Sequence, residues 1–326
     1  MIDDRISVTV ITGFLGAGKT TLLNNIIRKH PEKKFAIIEN EFGEVGVDSG
    51  LIVDGGDTIF ELANGCICCS LNQDFQQVLT QLLDGPFEFD HLLIETTGIA
   101  DPLSVVKHFI HGSNIQFRFR MDSVICLADA IHLDDLLEEQ NEVKQQLALS
   151  DLVLINKAGD VQREYVDQLQ QQIRRINPMA TVQAIQYGQI DHLKVLDTFA
   201  YSGQAIAVST LAYRPVNADQ SVEKSAHVHH EIASAGFVFN QPFNQDGFSA
   251  WLQSFLFFNE KTIYRAKGIL AFQGQSEQYI FHSIRGTLMI EPGEKWGNKT
   301  AHSKLVFIGK QLNRQAIEEN LRQFIL

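Results

Sequence analysis

Cysteine is scarce in this chain, four residues among 326, and three of the four fall within Cys66-Ile67-Cys68-Cys69. That scarcity and clustering exclude a disulfide-stapled scaffold and point to metal or redox chemistry in a reducing compartment. Positive charge is also in deficit, with 27 Lys and Arg against 39 Asp and Glu and a formal net charge of -12. Such a chain repels phosphate backbones and anionic lipid, so neither nucleic acid nor a membrane is an expected partner. Long apolar runs are missing: no stretch approaches the roughly 18 residues that a membrane-spanning helix requires. The opening Met1-Ile2-Asp3-Asp4-Arg5 leads into a strand-like run without an apolar signal region, and the expectation is a cytoplasmic protein. No internal repeat is evident, and the length suits two domains of unequal size.

What the chain does have is Gly13-Phe14-Leu15-Gly16-Ala17-Gly18-Lys19-Thr20, between the apolar run Val8-Thr9-Val10-Ile11 and the helical pattern Thr21 to Ile27. This G-x-x-x-x-G-K-[ST] pattern reads as a P-loop. Its glycines let the backbone fold tightly, so that successive N–H groups and a helix N-terminus point at a phosphate chain. Lys19 adds positive charge at the β- and γ-phosphates, and the Thr20 hydroxyl is a ligand for Mg²⁺. A chance glycine-rich turn would lack the strand before and the helix after.

Apolar runs at 6–12, 35–38, 91–94, 123–128, 151–155 and 180–185 alternate with helical patterns near 19–29, 70–84, 102–111, 132–148 and 161–176. The alternation predicts an α/β fold, a doubly wound and mostly parallel sheet that binds nucleotide at the carboxyl ends of its strands. The pattern fades after 200, and residues 211–232, which include His227, His229 and His230, read as a linker. Strand-like runs resume and predict a smaller α+β domain. The expected division is 1–210, linker 211–232, and 233–326.

Two further segments carry chemistry. Glu39-Asn40-Glu41-Phe42-Gly43-Glu44-Val45-Gly46-Val47-Asp48 runs from a strand end into a loop with four carboxylates, at the position where P-loop GTPases carry a switch ordered by γ-phosphate and Mg²⁺. Leu92-Leu93-Ile94-Glu95-Thr96-Thr97-Gly98 reads as a buried strand ending in a carboxylate, in the manner of a Walker B segment. Glu95 can hold Mg²⁺ through water or orient the attacking water, and the Gly98 N–H can meet the γ-phosphate. Cys66, Cys68 and Cys69 suit a soft or borderline cation such as Zn²⁺ or Co²⁺. Closing a tetrahedral site needs a fourth ligand, for which Glu39, Glu41, Glu44 or an imidazole are candidates. Redox chemistry is the alternative, because Cys66 and Cys69 stand in C-x-x-C spacing.

Taken together, the P-loop with Thr21, Glu39-Asn40-Glu41-Phe42-Gly43, Asn64-Gly65-Cys66-Ile67-Cys68-Cys69 and Glu95-Thr96-Thr97-Gly98 resemble the CobW family of metal-handling GTPases. The likeness extends to Arg265-Ala266-Lys267-Gly268 and Val306-Phe307-Ile308-Gly309 in the smaller domain. The resemblance implies slow GTP hydrolysis coupled to handling zinc, or sometimes cobalt, for a client metalloprotein. It places Lys19, Glu41, Glu95 and Gly98 in catalysis. Gly13 through Thr21 with Asn156 and Lys157 would bind the nucleotide, and Cys66, Cys68, Cys69, Glu39 and Glu44 the transition metal. A nucleotide-gated binding protein with a structural or sensory metal, and a small-molecule kinase, are the competing readings; a homodimer is left open. One departure stands out. The family's guanine-reading motif is [NT]-K-x-D, and Asn156-Lys157-Ala158-Gly159-Asp160 puts a glycine at the aspartate position. Either Asp160 reaches in from one residue further or base specificity is relaxed.

Other tempting residues have plainer readings. Cys126 is expected in the core, Asp129 as a helix cap, and His108 and His111 on a helix surface. The linker histidines suit solvent or metal. Trp251, Trp296 and the phenylalanines of the last hundred residues suit a core or a partner surface.

Overall fold

Two compact units divide the chain, one of residues 1–172 with 180–200 and one of 173–179 with 201–326. They are described by a computed structural model covering residues 4–39, 59–63, 73–86, 88–98, 101–110, 114–212 and 232–325.

In the first unit, β1 (Ile6–Gly13) leads through the glycine-rich loop into α1 (Lys19–Lys29). There follow β2 (Phe35–Glu39), β3 (Ile59–Ala63), α2 (Gln73–Asp84), β4 (His91–Glu95), α3 (Leu103–Ile110) and β5 (Phe119–Asp129). The run ends with α4 (Leu133–Glu139), α5 (Asn141–Leu149), β6 (Leu152–Asn156), α6 (Arg163–Ile176), whose residues from Ile173 on count with the second unit, and β7 (Thr181–Ala184). The strands form one sheet in the order β3-β2-β4-β1-β5-β6-β7, and all its pairings are parallel. This is the expected α/β architecture, which buries a parallel sheet on both faces and so selects near-continuous apolar strands. In α1, Leu22, Leu23, Ile26 and Ile27 make a stripe at helical spacing against Ile11, Ile37, Leu93, Ile125 and Leu154 of the sheet. Burial of that stripe sets how the P-loop lies on the strand ends.

The single helix expected over 132–148 is two, because Gln140 is extended (φ −123°, ψ 111°) between α4 and α5. The break re-phases the apolar face. Leu133 and Leu137 are buried in α4 and Val143 and Leu147 in α5, and an unbroken helix would carry Val143 roughly 240° around from Leu137 at about 100° per residue.

The second unit holds α7 (Gly203–Ala212), β8 (Ile232–Phe239), α8 (Gln245–Phe258), β9 (Ile263–Leu270), β10 (Glu277–Ile284), β11 (Thr287–Lys295), β12 (Ser303–Lys310) and α9 (Arg314–Arg322). Its sheet is antiparallel, ordered β11-β10-β9-β12-β8. Asn244 and Asn313 cap α8 and α9, accepting from the N–H groups of Gly247 at 2.8 Å and Ala316 at 3.0 Å. Phe237, Phe243, Phe248, Phe281 and Phe307 fill the core with Leu252 and Leu321. Trp251 stacks on Phe255 at 4.8 Å between ring centroids, and Trp296 is buried, whereas Phe257 and Phe258 are exposed. The unit takes in Tyr201 and α7, ahead of the boundary at 210 that the fading sequence pattern suggested, because Ala207 of α7 packs with Ile269, Ala271 and Trp296. Among the described residues no helix is long and apolar enough to cross a membrane.

Candidate nucleotide-binding site

The glycine-rich loop has the backbone its composition predicts. Gly13, Gly16 and Gly18 lie at φ 134°, 79° and 100°, a region costly for residues with a Cβ. At Gly13 there is a second reason, since a Cβ there would run into the Leu127 carbonyl of β5. Ala17 N–H donates to Phe14 O at 3.2 Å, closing the loop, and Lys19 Nζ donates to Phe14 O at 3.4 Å, folded back over the loop it serves. Gly18 is the N-cap of α1, with no side-chain cap and no acidic residue in the first turn. The helix N-terminus therefore presents N–H donors and a positive dipole end, the combination that suits a phosphate chain.

Neighbouring strand ends converge on this loop. Glu95 is in register with Ile11 of β1 on one side and with Glu39 of β2 on the other. Thr96 N–H then donates to Ile11 O at 2.9 Å. Gly98 lies against the P-loop, for a Cβ on it would come within 2.6 Å of Leu15 N, and its carbonyl accepts from buried Gln146 Nε2 at 3.0 Å. Thr12 and Thr97 each bury a hydroxyl that has no hydrogen-bond partner among the described residues. A buried unsatisfied hydroxyl costs free energy, and at the mouth of a phosphate cradle it fits a site completed by a ligand.

On the other side, Asn156 at the end of β6 is buried; its Nδ2 donates to Ala17 O at 2.9 Å and its Oδ1 accepts from Gly188 N–H at 3.0 Å. Lys157 follows in a left-handed conformation (φ 60°), and its Nζ pairs with Asp129 Oδ2 at 2.7 Å. Asp129 does more than the helix cap expected of it. His132 is the N-cap of α4, while Asp129 takes Ile131 N–H with one oxygen and Lys157 with the other. This ion pair is not legible in the sequence, because 28 residues separate the partners and only the adjacency of β5 and β6 joins them. Gln186 and Gly188, just beyond β7, were likewise missed. The available signal was the rule that loops at the carboxyl ends of a doubly wound sheet line the site.

Phe14, Leu15, Gly16, Thr20 and Thr21 lie where the motif places them, with Leu15 and Thr21 exposed. Cys126 is buried and its thiol is pushed up to about 12 by burial, which makes it an inert core residue. His108 overturns the surface expectation: it is buried against the Phe75 ring at 5.1 Å between centroids, and burial lowers its pKa. The reason is that α2 covers the α3 face which His108 shares with Val105. Glu41, Glu44, Cys66, Cys68, Cys69, His111, His227, His229 and His230 lie outside the described residues.

The CobW/HypB/UreG nucleotide-binding domain matches residues 7–184. The chain belongs to the CobW/HypB/UreG family. The C-terminal domain of the cobalamin synthesis protein CobW matches residues 232–325. The zinc chaperone YjiA of Escherichia coli is 34% identical over 316 residues, covering 96% of each chain. The zinc-regulated GTPase metalloprotein activator 1 of Schizosaccharomyces pombe is 28% identical over 348 residues, covering 95% of this chain and 84% of the relative. The crystal structure of Zn(II)-bound YjiA GTPase from E. coli superposes with a TM-score of 0.76 at 29% identity over 99% of both chains.

Proposed function

We propose that this protein is a GTP-hydrolysing zinc metallochaperone, in which nucleotide state governs delivery of the metal to a client metalloprotein. The observation that carries the reading is the registration of three strand ends: Ala63 of β3 beside Glu39 of β2, and Glu39 beside Glu95 of β4. Cys66 follows Ala63 by three residues, which at full extension is a tether of roughly 10 Å. The short spacing in sequence between the cysteine cluster and a strand that neighbours the phosphate cradle supports the reading. Zinc is the cargo, bound by Cys66, Cys68 and Cys69 with Glu39 or Glu44.

In this reading the helix N-terminus and loop N–H groups bind the phosphates, and Lys19 neutralises charge that develops on the transferring group. The Gly98 N–H, set against Leu15, meets the γ-phosphate, and Glu41 and Glu95 orient water. Thr20 and Glu95 are the residues that would hold Mg²⁺, which when bound would supply neutralisation of phosphate charge. The names of the relatives support zinc and GTP.

The test is zinc affinity in the apo, GDP and non-hydrolysable-GTP forms, by competition with a chromophoric chelator, alongside phosphate release and zinc transfer to an apo client. Linkage requires that bound zinc alter the GTP-to-GDP affinity ratio by the same factor as nucleotide alters zinc affinity, typically about 5- to 150-fold. Identical zinc affinity in all three forms would reduce the cysteines to an uncoupled site.

A further inference from the structure

Position 159, where the guanine-reading motif carries aspartate, is occupied from outside the motif. A Cβ built on Gly159 would lie 3.2 Å from both Cδ and Oε1 of Gln186, so the space a side chain at 159 would enter is taken by a carboxamide from the loop after β7. Gln186 Oε1 accepts from Gly159 N–H at 2.8 Å, and its Nε2 donates to Asp160 Oδ1 at 3.1 Å. A backbone N–H demands an acceptor and a carboxylate demands a donor, so only this orientation of the amide satisfies both. The two loops are joined a second time, two residues further along, where Gly188 N–H donates to Asn156 Oδ1 at 3.0 Å. Asn156 in turn holds Ala17 of the P-loop at 2.9 Å. The clasp therefore sits on the nucleotide side of the sheet.

We propose that Gln186 is a positioning residue that holds Asp160 as the base-reading carboxylate, one residue beyond its usual place; the inference rests on the nucleotide-hydrolysing reading above. Asp160 is exposed at the end of a short 3₁₀ turn over 158–160. Gln186 takes one lone pair of Oδ1, which leaves the other lone pair of Oδ1 and both of Oδ2 to face a base. Guanine presents its N1–H and 2-amino hydrogens side by side, and a carboxylate accepts both. Hypoxanthine lacks the 2-amino group, xanthine replaces it with a carbonyl, and adenine turns a lone pair at N1 toward the acceptor. Asp160 thus favours guanine over all three, and Gln186 fixes the direction from which it does so.

The experiment is equilibrium competition of GTP, ITP, XTP and ATP against a fluorescent GTP analogue, on the full chain as wild type and as Gln186→Ala, Asp160→Ala and Asp160→Asn. Wild type should prefer GTP. Gln186→Ala and Asp160→Ala should each lower the GTP-over-ITP affinity ratio by roughly fivefold or more, the worth of a lost hydrogen bond to a charged group. Asp160→Asn, which presents a donor to the xanthine carbonyl, should shift preference from GTP toward XTP, a gain that no loss of folding could produce. Wild-type ratios in Gln186→Ala and Asp160→Asn, or a wild type indifferent to the base, would overturn the inference while leaving nucleotide hydrolysis standing. A wild type that binds none of the four would bring down the nucleotide reading and this inference with it.

Discussion

Asn156 Nδ2 donates to the carbonyl of Ala17 across 2.9 Å although 139 residues separate the two in the chain. The same carboxamide accepts from Gly188 N–H at 3.0 Å, so one side chain at the end of β6 joins the P-loop to the loop after β7. Replacing Asn156 with alanine leaves a buried carbonyl and a buried N–H without partners, at about 1–3 kcal/mol for each. Asn156→Ala should therefore lower both the denaturation midpoint and nucleotide affinity. Urea unfolding followed by circular dichroism, with nucleotide titration at a temperature where the variant is folded, checks both. Unchanged stability would show that water replaces the carboxamide at no cost.

Lys19→Ala removes the ammonium that folds over Phe14 O. The expected result is a fall in GTP hydrolysis of at least about 100-fold, the scale for removing one preorganised donor from a transition state, with the far-ultraviolet circular dichroism of wild type. Turnover at the wild-type rate would sink the P-loop assignment.

Replacing Cys66, Cys68 and Cys69 together with serine should abolish tight zinc binding, because neutral hydroxyls are poor ligands for such a cation. Cobalt is the optical probe. In wild type, Co²⁺ should develop intense thiolate charge-transfer absorption, and the serine variant should show none. A spectrum without that band in wild type would return the cysteines to redox chemistry.

Asp122 is fully buried beneath the sheet end, with Phe199 N–H donating to Oδ1 at 2.6 Å and the Thr9 hydroxyl to Oδ2 at 3.3 Å. Burial raises its pKa from 3.8 to about 6, so the folded state holds its proton more tightly than the unfolded chain does. The contribution to stability is full below the unfolded value and is lost as pH rises through about 6. His91, 2.9 Å from the same Thr9 hydroxyl, acts in the opposite sense: burial lowers its pKa to about 3, so its contribution is lost as pH falls from 6.5. Asp122→Asn isolates the first of these. Its stability relative to wild type should increase between pH 4 and pH 6.5 by about 2–3 kcal/mol and stay level above, measured by denaturant unfolding at each pH. A difference independent of pH would mean that folding does not change the pKa of Asp122.

What the sequence determined by itself is what depends on contiguous residues. The strand, glycine-rich loop and helix of the P-loop are adjacent in the chain, and the left-handed φ values of Gly13, Gly16 and Gly18 follow from residue type. Buried parallel strands declare themselves as apolar runs, which is why β1, β2, β4, β5 and β6 were legible. Two of the edge strands, β3 and β11, were not. β3 is a five-residue edge strand, and β11, also at an edge, has no buried residue and contains Pro292 and Gly293, so neither carries the apolar pattern of a central strand. Helix α7 escaped notice because its burial depends on the distant sheet on which it packs.

Only the tertiary structure decided which residues meet. The pairing of Lys157 with Asp129, the register of Glu39 with Glu95, the burial of His108 beneath Phe75 and the clasp of Gln186 on Gly159 and Asp160 all join positions far apart in the chain. Local propensity carries no information about such partners; strand order and the packing of helices on the sheet bring them within bonding distance.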